Sequence, residues 1–406
     1  MSSIQAKTQA PPVARQLSVR SIMEAIMREG ATSRAMMAKL TGLSRQTTTQ
    51  VVLELEREGW LQVVGKMQGP VGRSAPTYEV NPDAAFVLGI RLGGTRVQMA
   101  LANIRGHVVA EIAEPTDSRG GHEVVLQLGR LFKALIASSG VARSRIRLGV
   151  MGSPGVVNPK SGIIDIASSI PHLNDINVVE DLRQELQLEL TIENGVNLGA
   201  RGEHWKGVAR GTRNFAFIAL GTGVGMGIVA DGQLLRGARG AAGEIAYLPL
   251  GGDPFDPGGF VNGTFELAVG SRAIIRRYEG YGGATGRTVR MIFDALGTGD
   301  QAAEAAIGET ARLLVLAITA VHAVIDPELI VLGGSIGMRS ELVERVRAML
   351  PRAVPQHVPV EASLLGNRAT LVGALGEGLN QLHGDLFGVS AIRRDFSMID
   401  LATEAR

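Results

Sequence analysis

Residues 215–227 read Phe-Ala-Phe-Ile-Ala-Leu-Gly-Thr-Gly-Val-Gly-Met-Gly. The six apolar residues predict a buried strand, Phe215–Leu220. The glycines from Gly221 to Gly227 read as a turn in which backbone N–H groups can approach an anion, because no Cβ stands in the way. Ile228–Ala230 resumes as a strand and Asp231-Gly232 turns again. The same strand-then-glycine grammar recurs on either side. Phe86–Arg91 runs into Gly93-Gly94-Thr95, with Val97–Leu101 as its hairpin partner. Arg147–Met151 closes on Gly152-Ser153-Pro154-Gly155, and Leu188–Glu193 ends in Glu193-Asn194-Gly195. Leu329–Leu332 ends at Gly333-Gly334-Ser335 after a long apolar helix, Ala311–Ile325. From Ala84 onward, strands alternating with helical stretches predict an α/β region. Glycine turns alone name no ligand, since hairpins use them routinely.

Composition narrows the class. The chain has 406 residues, 41 Lys plus Arg, 39 Asp plus Glu and no cysteine. That length predicts two or three domains, at roughly 150 residues each. Without cysteine there is no disulfide, no thiolate-bound zinc or iron–sulfur cluster, and no cysteine nucleophile. No run of about 18 apolar residues appears, and Met1–Gln16 lacks the apolar stretch of a secretory signal, so a cytoplasmic protein with no membrane partner is expected. Net charge is unevenly placed: residues 1–80 hold ten basic and six acidic side chains, and the remainder is slightly acidic. A nucleic-acid partner is therefore sought at the N-terminus.

Residues 1–16 are polar, contain Pro11 and Pro12, and read as a disordered arm. Val19, Ile22, Met23, Ile26 and Met27 then share a helical face that ends at Gly30. Ser33 can cap a second helix carrying Met36, Met37 and Leu40, which Gly42 breaks. Ser44 caps a third helix, where Thr47, Val51 and Leu55 continue a buried stripe from Leu43. Two short helices joined by a Gly-containing turn make a helix-turn-helix. Arg45, Gln46, Thr49 and Gln50 lie on the third helix's outer face, and suit base edges and phosphates. Trp60–Lys66 and Thr77–Val80 read as the strands of a wing around a Gly/Pro tip, with Lys66 and Arg73 upon it. The alternative is a three-helix bundle for protein contact; the local basic charge and basic wing favour double-stranded DNA over residues 17–81.

The blocks GIRLGGT, GSPGVVNP, IENGVN, LGTGVGMGI, GARGAAGEIAY and IVLGGS follow in this order behind that helix-turn-helix. Together they resemble the ROK family (repressor, open reading frame, kinase) from about Val19 to His383. The resemblance implies an α/β, actin-like, sugar-kinase-type domain of two lobes over residues 82–385, with 386–406 as a tail. Members with an N-terminal winged helix resemble sugar-responsive repressors, often dimers or tetramers; members without it resemble sugar kinases.

The resemblance also lets the kinase chemistry be checked residue by residue. Arg91 stands where active relatives carry an Asp near Mg²⁺, and a guanidinium cannot ligate that ion. Gly195 stands at the Asp that serves as general base, and has no side chain to accept a proton. Tyr247 replaces a histidine that shares a structural zinc, and Thr264 stands where the last zinc-binding cysteine would be. No cofactor or metal is expected; the 251–266 loop would instead be held by Phe255, Phe260 and Phe265 packing around Pro254 and Pro257. What remains of the implied sugar site is Gly155, Asn194, Glu244 and Glu266, with Tyr247 lining it and Ser168 and Ser169 on a contacting loop. Paired carboxylates and an amide suit sugar hydroxyls. The bland roles are a surface acid for Glu244, a helix-start acid for Glu266, a turn-satisfying amide for Asn194 and a core ring for Tyr247. The combined expectation is a sugar-responsive DNA-binding regulator with a disabled kinase site. The alternatives are an active kinase with a fused DNA-binding domain, or a protein-interaction scaffold.

Overall fold

The structure is a computed structural model that describes residues 13–68, 74–157, 164–165 and 170–388. Its N-terminal unit runs α1 (Val13–Glu29), β1 (Thr32–Ser33), α2 (Arg34–Thr41), α3 (Arg45–Arg57), β2 (Leu61–Gln68) and β3 (Ser74–Val80). The caps fall where the sequence places them. Ser33 accepts from the Met36 N–H, Gly42 ends α2 at φ 71°, and Ser44 accepts from the Thr47 N–H. Strand β3 pairs antiparallel with β2 and β1.

Two expectations here need correction. Helix α1 starts at Val13, so residues 13–16 are helical and not part of an arm. That first turn has no apolar face to betray it; Arg15 holds it to Glu54 of α3 through a 2.9 Å ion pair. Thr48, not Thr47, is the buried threonine of α3, and its hydroxyl donates to the Ser44 carbonyl.

Two five-stranded sheets follow. The first uses β4 (Phe86–Leu92), β5 (Arg96–Asn103), β6 (Val108–Pro115), β7 (Ile146–Ser153) and β10 (Glu189–Asn194) in the order β10-β7-β4-β5-β6. Between them come α4 (Gly121–Ser139), a small hairpin of β8 (Val156–Val157) and β9 (Ile164–Asp165), and α5 (Val178–Leu186). Helices α4 and α5 bury one face of this sheet. After β10 comes α6 (Gly195–Lys206).

The second sheet has β11 (Phe215–Leu220), β12 (Val224–Ala230) and β13 (Gln233–Leu235). The helices α7 (Pro257–Asn262), α8 (Thr264–Val269), α9 (Ser271–Gly280), α10 (Val289–Leu296) and α11 (Gln301–Ile325) come next. Strand β14 (Leu329–Gly333), α12 (Gly334–Gly337), α13 (Ser340–Met349), β15 (Val360–Ala362) and α14 (Ala369–Phe387) complete the chain's described part. The strand order is β13-β12-β11-β14-β15.

Strand β12 begins earlier than the sequence suggests, so Gly225 and Gly227 belong to the strand and the turn is only Gly221-Thr222-Gly223. Those glycines are bare because α6 packs on the strand: a Cβ on Gly227 would lie 2.8 Å from the Ala200 Cβ and the Val196 carbonyl. Helix α11 also begins earlier, at Gln301, since Ala302, Ala303, Ala306 and Ile307 extend its buried face. By length and composition α11 is apolar enough to cross a membrane, but its buried side chains fill the core of the second sheet.

Helices α6 and α14 cross in direct backbone contact. A Cβ on Gly373 of α14 would stand 1.9 Å from the Leu198 carbonyl of α6, and one on Gly202 2.3 Å from the Ala369 carbonyl. Near this crossing the wholly buried Glu203 accepts from the N–H groups of Val208 and Leu365 and from the Ser363 hydroxyl. Helix α14 extends through Phe387 and ends at Gly388 (φ 65°), so residues 386 and 387 belong to it and not to a tail; the tail from 389 onward lies outside the described residues. Its C-terminal end meets the N-terminal unit. Phe387 packs edge-on to Trp60 at 5.4 Å, and one apolar cluster unites Ile22, Met23, Val52 and Tyr78 with Leu375, Leu379 and Leu382. Beside this joint the buried His383 donates from Nε2 to the Ile104 carbonyl (2.8 Å), and burial pushes its pKa down to about 4.

Gly373→Ala should therefore separate α6 from α14. The expected loss is about 1–3 kcal/mol, the usual cost of overpacking a close contact. Urea unfolding checks it, and an unchanged midpoint would mean the helices have slack.

Candidate functional site

Glu244 and Glu266 reach one another from different segments because backbone contacts force them to. Gly243 has φ 91°, and its ideal Cβ would lie 2.0 Å from the Met226 carbonyl. The Met226 N–H in turn donates to the Gly243 carbonyl (3.1 Å), which docks the loop on β12. Ile245 and Ala246 are buried and anchor the single turn behind Glu244. Gly263 (φ 82°) passes the Ala246 carbonyl so closely that a Cβ would be 2.3 Å away, and this starts α8 against that turn. Glu266, in the first turn of α8, accepts from the Val224 N–H at 3.0 Å.

The electrostatics of the pair are unfavourable. Burial pushes the Glu244 carboxyl above its usual range, and the Glu266 charge pushes it further. Burial also raises Glu266, partly offset by the Val224 N–H. Tyr247 sits at the rim, 37% exposed, with its hydroxyl raised by burial and by both carboxylates. Two desolvated acceptors with spare lone pairs suit hydroxyl donors from a polyol. Among the described residues no group of three or more His, Cys, Asp or Glu is placed to hold a metal.

The first sheet supplies the facing segments. Asn194 caps α6: its Oδ1 accepts from the N–H groups of Val196 (2.8 Å) and Asn197 (3.4 Å), and its Nδ2 donates to the Gly155 carbonyl at 3.4 Å. The side chain thus serves its own backbone, and Gly155 is buried beneath it. Gly195 presses on β7, where a Cβ would be 3.0 Å from the Ser153 carbonyl, and its own carbonyl accepts from Thr370 of α14 (2.9 Å). Arg91 lies half-buried, donating to Gln98 at 3.0 Å. Ser168 and Ser169 lie outside the described residues.

The 251–266 loop differs from expectation. Phe255 and Phe260 are 92% and 81% exposed, and only Phe265 is buried. The loop is held by backbone turns instead: the Phe255 N–H donates to Asp253 Oδ1 (2.9 Å) and the Gly263 N–H to the Gly259 carbonyl (2.9 Å).

Glu193 and Arg236 are organising residues that the sequence did not single out. Glu193 accepts from Asn194 N–H (2.9 Å), Asn197 Nδ2 (3.0 Å) and Arg236 Nε (2.7 Å). It ties the first sheet to the loop leading to Glu244, because the Ala242 N–H donates to the Arg236 carbonyl (3.0 Å). The only earlier sign was its place in the E-N-G-V-N run. A separate cavity of about 790 Å³ opens between Gly221-Thr222, Ser271, Phe293, Arg339 and Asn367; neither Glu244 nor Glu266 lines it.

On the N-terminal unit, Arg45 and Gln46 are exposed at the start of α3 and Thr49 is half-buried. Gln50 is exposed but donates to Glu54 (3.3 Å), which orients it along the helix. Lys66 is exposed on β2. Arg73 lies outside the described residues. Arg15, Arg20 and Arg28 pair with acids of their own unit, whereas Arg45 and Lys66 make no ion pair among the described residues.

The chain resembles known proteins over most of its length. The model of the ROK family matches residues 87–376. A xylose repressor of Caldicellulosiruptor bescii is 25% identical over 384 residues, covering 89% of this chain and 95% of the relative. A glucokinase of Halalkalibacterium halodurans is 29% identical, covering 71% of this chain and 93% of its own length. The crystal structure of a ROK family transcriptional regulator, homologous to the E. coli MLC protein, superposes with a TM-score of 0.69 over 90% of this chain and 96% of that one; at 22% identity it shows the fold.

Glu244→Gln should weaken binding of a neutral sugar such as glucose or xylose by about 10–100-fold, the loss of hydrogen bonds to a charged acceptor. Folding raises both carboxyl pKa values, so the pair destabilises the fold above those values and the penalty is relieved as pH falls through them. The variant should therefore melt higher than wild type at neutral pH. Wild-type sugar affinity should begin to fall, on acidification, at a higher pH than an ordinary glutamate would dictate. Calorimetric titration and thermal melts across pH check all three.

Proposed function

The chain belongs to the ROK family, and on that premise we propose that it is a sugar-responsive, DNA-binding transcriptional regulator, a repressor in type, whose kinase site is disabled. The observation that carries the reading is a continuous connection. Helix α3 exposes Arg45 and Gln46 on one side and through Val51, Val52 and Leu55 on the other shares one apolar core with α14, whose far end bonds Gly195 through Thr370. A kinase needs no such unit; a regulator needs both ends joined.

The N-terminal unit has the element order of a winged helix-turn-helix, with α3 as the reading helix and β2–β3 as the wing. Gly195 offers no base at the position where the family resemblance implies one, and Arg91 would repel Mg²⁺ at the position linked to it. The relatives include both repressors and sugar kinases, so the choice rests on these residues.

The mechanism is linkage. A sugar held by Glu244 and Glu266 changes how the second sheet sits on α6, and α6 moves with α14 because their backbones touch. Helix α14 spans about 28 Å at 1.5 Å per residue, and delivers that movement to Trp60 and α3. The change in DNA affinity equals the sugar's differential affinity for the two arrangements, typically about 1–3 kcal/mol. In a homodimer or homotetramer, the wings would address half-sites about one helical turn apart or a multiple of it.

The second reading, an active sugar kinase with a fused DNA-binding unit, is favoured by the cavity beside Gly221-Thr222. Steady-state ATP turnover with a panel of aldoses decides between them: turnover lost in Glu244→Gln would overturn the regulator reading.

For the DNA face, operator DNA is selected from a random library with the full chain. Arg45→Ala and Gln46→Ala should each weaken that site by about 1–3 kcal/mol while sparing non-specific DNA. Lys66→Ala should weaken all sequences alike and reduce the salt slope by about 1. Phe387→Ala should leave sugar and DNA binding in place but shrink the effect of one on the other. DNA binding that ignores salt and all three DNA-face substitutions would point to the scaffold alternative.

A further inference from the structure

Three arginines around α6 and α14 each pair with a carboxylate: Arg236 with Glu193, Arg201 with Glu377 and Arg368 with Glu111. Arg91 does not. Its single hydrogen-bond partner among the described residues is the neutral amide of Gln98. The charged neighbour acting on it is Arg96, of the same sign, and burial with that repulsion holds its pKa below the usual guanidinium range. A partly desolvated cation without a counter-ion costs folding free energy, and such a group is retained where a ligand supplies the missing charge.

Its position follows from the strand pattern. Side chains alternate along β4, and a Cβ on Gly89 would meet Leu371 and Leu375 of α14, so Arg91, two residues on, points to the same face. Arg91, Gly152 and Glu193 stand side by side across β4, β7 and β10. Gly152 is the bare middle of this row, in contact with Thr370 and Gly195. Glu193 grips Arg236, whose carbonyl holds Ala242 just ahead of Gly243-Glu244. A chain of direct contacts therefore leads from the row holding Arg91 to the loop that carries the carboxylate pair. Roughly 10 Å separates the Arg91 and Glu193 backbones at the usual strand spacing.

We propose that Arg91 selects an anionic sugar derivative, carrying a phosphate ester or a carboxylate, over the neutral sugar. The inference rests on the reading of Glu244 and Glu266 as the sugar site. The carboxylates accept from the hydroxyls at one end, and the guanidinium receives the two oxygens of the anion at the other. Its planar fork offers five N–H donors, of which Gln98 takes one. A bidentate charge-assisted pair is stronger than any bond a neutral hydroxyl could make there.

The test is calorimetric titration of the full chain with matched ligands: glucose, glucose 6-phosphate and glucuronate; N-acetylglucosamine and its 6-phosphate; and inorganic phosphate alone. One charged member should bind at least about tenfold more tightly than its neutral parent. In Arg91→Met that ratio should fall to near one, and the melting temperature without ligand should hold or rise, since a desolvated charge is gone. Should the apolar variant fail to fold, Arg91→Lys, which keeps the charge but not the fork, should lose most of the ratio. Equal or tighter binding of the neutral parent overturns the proposal, as does a ratio that survives both substitutions. So does a ratio reproduced by inorganic phosphate binding equally to wild type and variant. If a neutral sugar binds and Glu244→Gln weakens it, the sugar-site reading stands while this one falls. If no sugar binds and Glu244→Gln changes nothing, both fall.

Discussion

Helices α6 and α14 touch backbone to backbone at Gly202 and Gly373, and the arrangement of everything else depends on that contact. Two helices that meet through side chains can slide by changing rotamers; two that meet through peptide groups cannot. Each bears on the first sheet, and α6 also bears on β12 of the second through Val196 and Ala200. The crossing thus joins the two sheets to each other, and α14 carries the N-terminal unit. Glu203 reinforces it: a fully buried carboxylate is tolerated because three donors satisfy it, and those donors come from α6's own exit and from the loop entering α14.

The candidate site shows the opposite economy. Its charged groups are short of partners among the described residues, where Glu203 at the crossing has three donors. The Glu266 charge adds to the cost of burying Glu244, and among the described residues Arg91 has a single neutral acceptor. Each is held by a stiff neighbour: Glu244 by Gly243 against Met226, Glu266 by α8, Arg91 by the end of β4. Polar groups kept unsatisfied by rigid surroundings are prepared for a ligand, because the reorganisation has already taken place during folding.

Much of the local structure was legible residue by residue. Ser33, Gly42 and Ser44 mark the ends of α2 and α3 through hydrogen bonds with their own neighbours, which a linear pattern records faithfully. Strands followed by glycine turns likewise announced the two sheets. The misreadings have physical causes. Gly225 and Gly227 look like a turn until α6 is seen to occupy the space their Cβ atoms would need. Phe255 and Phe260 look like a small core, yet in a loop of tight backbone turns they face outward. The first turn of α1 has no apolar stripe and is secured by an ion pair with a residue far along the chain. For the glycines and for α1 the deciding neighbour is distant in sequence.

What the amino-acid order determined by itself is the three N-terminal helices with the caps of α2 and α3, the strands that end in glycine turns, the long apolar helix before β14, the local excess of basic charge at the N-terminus, and the residue types standing at each motif position. Those properties depend on neighbours within one or two turns of chain. Only the tertiary structure decided that α14 would connect the candidate site to the N-terminal unit, that His383 and Trp60 would lie at that joint, and that Arg236 would find a counter-ion while Arg91 has none among the described residues. Pairings of this kind depend on which surfaces meet when sheets and helices pack. That is a property of the folded whole, because a charge is satisfied or left wanting only by what lies beside it in space.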